Sequence, residues 1–462
     1  MAKQNTHQHE TSNPPDQVLK SIDGNDRAAI RRQTWRIAVP VIIANSSIPL
    51  VGIVDTAVMG HLDAPHYIGA VAMGSFILSL ILALFGFLRM ATTGFVAQAA
   101  GANDGAMVLT HFWRAISVAI ILGLLTIMLI PLITFLASLT LTLSDAVSSG
   151  MTTYLAIVCI SAPAITINMV ILGVMFGLQR IRATVIQLIT INTINIIGNF
   201  VFVYGLDMRV EGVALATAIS HYCGLLVTLP MVISAIRNIT PFSILPLHVI
   251  LNLAAMRRYL GLGFDLTIRT SCIILSELIV LNAASAIDDV SLAASQIGFV
   301  IFATIAYPLD GFAHAAEALT GSAIGRRNRA MFNHTLRETT KLAIVMSMIM
   351  AILLALFGDA FINLMTSIPE VVEKSHELLP ILVVMPVVSV IAFQMDGVFV
   401  GATMGRDMRN AMLVSMIVFL PLMYVMEIWF GLIGIWLAFM ILLGLRGATL
   451  WMRLNHIRVT IE

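Results

Sequence analysis

Charge is scarce in this sequence: only 11% of its 462 residues are Asp, Glu, Lys or Arg, while 59% are hydrophobic. With a mean hydropathy of +0.95, that balance excludes an ordinary water-soluble domain and marks an integral membrane protein. Cysteine is scarcer still. Cys159, Cys223 and Cys272 are scattered through apolar runs, which excludes a disulfide framework and a cysteine metal site. No Gly-rich phosphate loop ending in Lys-Ser or Lys-Thr is present, so ATP is not expected to drive the protein. GLGFD at 261–265 has Phe264 where an intramembrane aspartyl protease needs its Asp directly after the second Gly. HELLP at 376–380 lacks the second His of a zinc-binding H-E-x-x-H. Neither an enzyme, a metal site, a cofactor nor a nucleic-acid partner is expected.

What the sequence has instead is long apolar stretches. Twelve can cross a hydrocarbon layer of roughly 30 Å at about 1.5 Å per residue. They cover 35–61, 67–100, 110–138, 148–178, 184–206 and 210–236, then 258–287, 291–324, 332–357, 371–402, 409–430 and 432–454. Continuous rather than alternating hydrophobicity selects helices over a barrel, so an all-α membrane bundle is expected. Residues 1–26 are polar and lack the apolar core of a signal peptide, and read as part of a disordered cytoplasmic tail over 1–30. With the N-terminus inside, 21 of the 26 basic residues fall on the cytoplasmic side and only Arg209 and Lys374 on the other. Arg89, Arg269 and Arg446 fall within spans. That asymmetry puts both termini in the cytoplasm of a multi-pass protein, here assigned to the inner (plasma) membrane.

The chain repeats itself at a spacing of 224 positions. Gly173 and Gly177 fall on Gly397 and Gly401, Arg182 on Arg406, Trp35 on Tyr259 and Gly101 on Gly325. Two homologous six-helix lobes are therefore expected, over 31–238 and 258–462, with a connector at 239–257. Two such repeats in one membrane chain suggest a transporter that binds cargo between its lobes and rocks them.

Against that scaffold the intramembrane acids stand out. Asp55 falls opposite Ile279, Asp310 opposite Gly86, Glu317 opposite Thr93 and Asp396 opposite Leu172. A carboxylate in an inserted helix costs roughly 2.5 to 3.5 kcal/mol, so its presence there points to function. Asp55 follows Pro40 and Pro49, each of which removes a backbone bond, so protonation of this desolvated acid is expected to bias bending of the first span. In the same lobe Asn192, Asn195 and Asn199 form one stripe, with Tyr154, Asn168 and Thr217 as further candidates; such a stripe also serves simply to glue helices. In the second lobe Asp310, His314 and Glu317 share one helical face after Pro308, an expected hinge. Asp396 and Glu277 add two acids, with Arg269 as counter-charge for one of them; a purely structural ion-pair network is the alternative.

PLVGIVDTAVMGHLDAPHYIGAVAMG, FLRMATTGFVAQAAGA, YPLDGFAHAAEALTGSAIG and MDGVFVGATMGRDMRNAM resemble segments of multidrug and toxic compound extrusion (MATE) transporters of the DinF-like branch, and the likeness runs from Arg31 to the C-terminus. The resemblance implies a V-shaped pair of pseudo-symmetric six-helix lobes that exports cationic or amphipathic compounds by antiport against protons. It implies sodium as the alternative ion and, more distantly, flipping of a lipid-linked precursor. Asp55 is then the coupling residue of the first lobe, with Asn195 and Asn199 as its partners where the family usually has an Asn and an Asp. Tyr154 and Thr217 match further polar positions. Glu277 and Asp396 stand in the helices that carry acids in sodium-coupled members. The expected partners are small cationic or amphipathic molecules and membrane lipid, and the protein is expected to act as a monomer. A lining rich in the chain's 27 methionines would suit variable cargo.

Overall fold

The computed structural model describes residues 26–45, 52, 54, 57–59, 64, 66–140 and 143–461. Asp55 and Pro49 lie outside the described residues. Every regular element among the described residues is a helix. These are α1 Arg27–Asn45, α2 His66–Phe85, α3 Phe87–Gly101, α4 Gly105–Thr140, α5 Asp145–Val158, α6 Ala162–Gly177, α7 Ile181–Asn199 and α8 Val210–Arg237. They continue as α9 Leu247–Ile250, α10 Leu253–Ile287, α11 Asp289–Gly325, α12 Arg329–Met365, α13 Pro369–Gly401, α14 Gly405–Met452 and α15 Leu454–Thr460. α1 starts at Arg27, so residues 27–30, read from sequence as tail, form its first turn.

Ten helical stretches among the described residues are long and apolar enough to cross a membrane. The last, Gly405–Thr460, contains two arms broken at Gly431, whose φ of 55° and ψ of −133° no helix tolerates. His456 Nδ1 lies 3.0 Å from Asp407 Oδ2, so the chain returns to its starting end and the arms are antiparallel. Ten stretches with one counted twice account for eleven of the twelve expected spans. The remaining one, 35–61, begins in α1 and runs into incompletely described residues. Leu226, Leu364 and Trp429 are exposed on the outside while Asn, Thr, Arg and carboxylate side chains are buried inside, the distribution expected of a protein in lipid.

The 224-residue spacing is built into the backbone. Among the described residues six have left-handed φ angles, and they form three pairs at that spacing: Asn103 with Arg327, Gln179 with Thr403, and Asp207 with Gly431. The first two pairs end α3, α11, α6 and α13 in the same way. The residue after each left-handed position bonds five residues back, as in Asp104 N–H to Ala99 O at 3.0 Å and Asn328 N–H to Ala323 O at 3.1 Å. Contacts between helices repeat too. A methyl on Gly101 would collide with the Ser322 carbonyl, and one on Gly325 with the Gln98 carbonyl, so α3 and α11 touch backbone to backbone across the pseudo-twofold. Gly173 meets the Arg89 carbonyl as Gly397 meets that of Ala313. Each half's first helix crosses onto the other half: Trp35 packs edge-on against Phe312 at 5.3 Å, and Tyr259 bonds Thr92 at 3.0 Å. The connector is held down by Arg114, which donates to the carbonyls of Val249 at 3.0 Å and Ile250 at 3.2 Å.

Candidate functional site

One cavity of about 660 Å³ gathers the charged residues that hydropathy alone leaves unexplained. The ridge of α11 supplies Asp310, His314 and Glu317, because spacings of four and three residues stack side chains on one face. Arg269 and Glu277 reach in from α10, Asp396 from α13 and Arg446 from the second arm of α14. Thus all six residues read from the second half's sequence line the same space. Two more come with them. Arg446 and Arg89, the latter from α3 in the opposite half, were legible only as basic residues inside spans; their positions opposite Tyr222 and Ala313 were the available signal that neither belongs to the shared scaffold.

The charges are arranged as two clusters. Arg89 Nη1 donates to Glu317 Oε2 at 3.2 Å and lies 3.4 Å from His314 Nδ1, while its guanidinium sits 5.8 Å from the Phe176 ring. His314 Nδ1 is itself 3.3 Å from Glu317 Oε2. Arg269 forms an ion pair with Asp396, the acid for which it serves as counter-charge, and Arg446 joins the same carboxylate oxygen at 3.2 Å. Glu277 and Asp310 make no ion pair among the described residues. Glu317 is 2% exposed and Arg446 3%, so these charges are withdrawn from solvent. Four buried polar atoms of the clusters, Glu317 Oε1, Asp396 Oδ1, Arg269 Nε and Arg446 Nε, have no hydrogen-bond partner in the protein. Buried polar atoms in that condition are uncommon in folded proteins.

Four carboxylates face three guanidiniums, leaving one negative charge in excess when His314 is neutral. The excess of acid over base in this cavity is therefore small. Phe299, Phe302, Phe393 and Phe439 supply an apolar wall. Among the described residues only two methionines, Met90 and Met412, line the cavity, so its plasticity does not rest on a methionine surface. A space of this size, apolar on one side with a few converging charges on the other, has the character of a small-molecule site. α11 runs through Pro308 without a break in assignment, although the proline leaves the Thr304 carbonyl without its backbone donor. Pro40 likewise lies inside α1.

In the first half, Asn195 donates to Thr217 Oγ1 at 3.0 Å and Asn199 to Asn195 Oδ1 at 3.4 Å, so these three are brought together. Tyr154 accepts from Ser75 at 2.9 Å. Asn168 belongs to other contacts: it donates to the His221 carbonyl at 2.8 Å and its own carbonyl accepts from Gln187. A π-helical turn, Phe200–Gly205, follows Asn199 directly, a local widening that sequence gave no means to expect and that recurs at functional positions. Among the described residues no three His, Cys, Asp or Glu side chains are grouped to hold a metal ion.

The chain matches the family model MatE over residues 40–201 and 267–425, one segment in each half. It is 36% identical over 429 residues to DNA damage-inducible protein F of Escherichia coli K12, covering 91% of both chains. It is 23% identical over 417 residues to a probable multidrug resistance protein NorM of Thermotoga maritima, covering 88% of each. A solved outward-facing structure of a multidrug resistance MATE family transporter of the MOP superfamily superposes with a TM-score of 0.84 at 19% identity, over 97% of this chain and 100% of that one. A MOP superfamily transporter from Pyrococcus furiosus, described for the reversed polarity of its binding pocket, superposes at 0.82 with 18% identity, over 98% and 100%. At such identities the likeness is one of fold.

Proposed function

This chain belongs to the MatE family of multi-pass membrane transporters, and from that membership we propose that it is a secondary active efflux transporter exchanging cationic or amphipathic cargo for protons. The observation that carries the reading is the cavity with its excess carboxylate, set where α3 of one half meets α11 of the other. Cargo with a positive charge and an apolar body is matched by Asp310 and Glu277, the cavity's two acids without an ion pair among the described residues, facing the phenyl wall. Arg89 is the device that connects cargo to rocking. It belongs to the first half and neutralises Glu317 of the second, so separating the halves there exposes a buried acid to whatever cation or proton is present. In the first half, Asp55 takes a proton from the external side with Asn195 and Asn199 as amide partners, bends the first span and resets the cycle. Both termini lie in the cytoplasm and the protein works as a monomer in the inner membrane.

Sodium coupling is the second reading, favoured by Glu277 and Asp396 standing in one cavity. It is weakened by Arg269 and Arg446, which already converge on one oxygen of Asp396, because a hard cation needs several free oxygens. A flippase for a pyrophosphate-linked precursor would call for a strongly cationic cleft, and four acids against three guanidiniums do not make one.

The test is efflux of a cationic dye from everted vesicles under an imposed proton or sodium gradient. Wild type is expected to respond to the proton gradient alone, with Asp55→Asn and Asp310→Asn each slowed strongly. Full activity in both variants under every gradient would overturn the assignment.

A further inference from the structure

The arginines at 257, 258, 406 and 409 read from sequence only as topological charge. The fold brings these two pairs, from α10 and the start of α14, around one cavity of about 480 Å³. Its two acids are already engaged: Asp265 accepts from Arg409 at 2.6 Å, and Asp407 faces His456 at 3.0 Å. Arg258 lies 5.3 Å from the Phe95 ring, and neither Arg257 nor Arg406 has a carboxylate partner among the described residues. Four guanidiniums against two carboxylates leave the cavity positive.

Three further observations say what fits there. Gly405, Arg406 and Asp407 line the cavity as the first turn of α14, whose N–H groups have no acceptor within the helix and attract anions. On α10, Arg257, Gly261 and Phe264 stand at i, i+4 and i+7 on one face. Nothing approaches Gly261 within 4 Å, and Phe264 is 64% exposed, so this face presents a cation, then a gap, then an apolar ring. At the equivalent positions of the first half stand Gln33, Thr34, Arg182 and Val185. A lobe of this fold is therefore built without the cluster.

We propose that this cavity binds the phosphate of an anionic phospholipid from the leaflet at the arginine-rich end, with Arg257, Arg258 and Arg406 around the headgroup and Phe264 along the first acyl carbons. A free phosphate shares the headgroup chemistry, but it makes no use of the Gly261 gap or of Phe264. Basic pockets opening to lipid at one membrane surface have the required electrostatics.

The experiment is native mass spectrometry of the whole protein in neutral detergent with phosphatidylglycerol, phosphatidylcholine or glycerol phosphate added. Phosphatidylglycerol is expected to give one retained adduct where the other two give none. The triple variant Arg257→Lys/Arg258→Lys/Arg406→Lys keeps every topological charge but loses bidentate phosphate contacts, and is expected to bind roughly tenfold more weakly. Arg31→Lys/Arg32→Lys/Arg36→Lys, altered at exposed positions of α1, is expected to bind as wild type. Equal retention of phosphatidylcholine, equal loss in both triple variants or no loss in either overturns the proposal. Saturation by glycerol phosphate alone overturns the lipid in favour of a small anion.

Discussion

Arg89 and Glu317 come from opposite halves of the chain and share a hydrogen bond in which the carboxylate is buried and the guanidinium partly so. Removing one partner of a buried pair leaves the other charged and desolvated, at a cost of about 3 to 5 kcal/mol. Arg89→Met and Glu317→Leu are therefore expected to lower thermal stability more singly than the double variant does when their effects are summed. A double-mutant cycle in detergent checks this, and a coupling near zero would show that the pair is not formed. Asp310 behaves differently, having no ion pair among the described residues. Asp310→Asn is expected to cost less stability than either single variant of that pair while weakening cationic dye binding, which equilibrium dialysis reads. Asp310, His314 and Glu317 were legible in sequence because their spacing fixes a common face whatever the helix packs against. Arg89 was not, since a lone arginine inside a span looks the same whether it faces lipid, its own half or the other. Asp55, the acid most prominent in the sequence, lies outside the described residues, so its place rests on sequence and family resemblance.

Helix ends and helix seams were legible as glycines before they were intelligible as contacts. Gly101 and Gly325 marked the repeat, and the structure supplies the reason they are glycine: each lies against a carbonyl of the opposite half, and a backbone atom cannot swing aside. Gly325→Ala is expected to cost about 1 to 3 kcal/mol by overpacking. Gly261→Ala, with open space around it, is expected to be neutral or slightly stabilising by helix propensity. Thermal unfolding of the two variants side by side checks the contrast. Asp288 caps α11 by accepting from the Ser291 backbone N–H, and that bond holds its carboxyl below the usual carboxylate range. A lowered value means stability present above the unfolded carboxyl's pKa and lost as pH falls through the folded one. Asp288→Ala should thus trail wild type at neutral pH and converge with it in acid. The break at Gly431 was anticipated as a boundary between 430 and 432, although its geometry, mirrored by Asp207 in the other half, was not.

At the scale of the whole molecule, a symmetric frame carries asymmetric chemistry. The left-handed turns, the glycine seams and the crossing of α1 and α10 obey the 224-residue spacing, whereas none of the cavity's carboxylates has an acidic counterpart. The repeat was readable because small residues at seams resist substitution by anything larger. The near-balance of charge in the cavity was not, because it depends on three arginines from three different helices converging on one space. Such a cavity suits exchange, since a cation arriving at Asp310 or Glu277 and a proton arriving there satisfy the same excess negative charge and exclude one another.

That exclusion is measured most directly as proton release when a cationic dye is added to the purified protein in weakly buffered detergent solution, with sodium or potassium as the only other cation. Release that rises towards one proton per dye bound as pH falls, equal in the two salts and accompanied by an affinity that falls as pH falls, is the expected result. Tight binding with no proton released at any pH, displaced by sodium and indifferent to potassium, would contradict it.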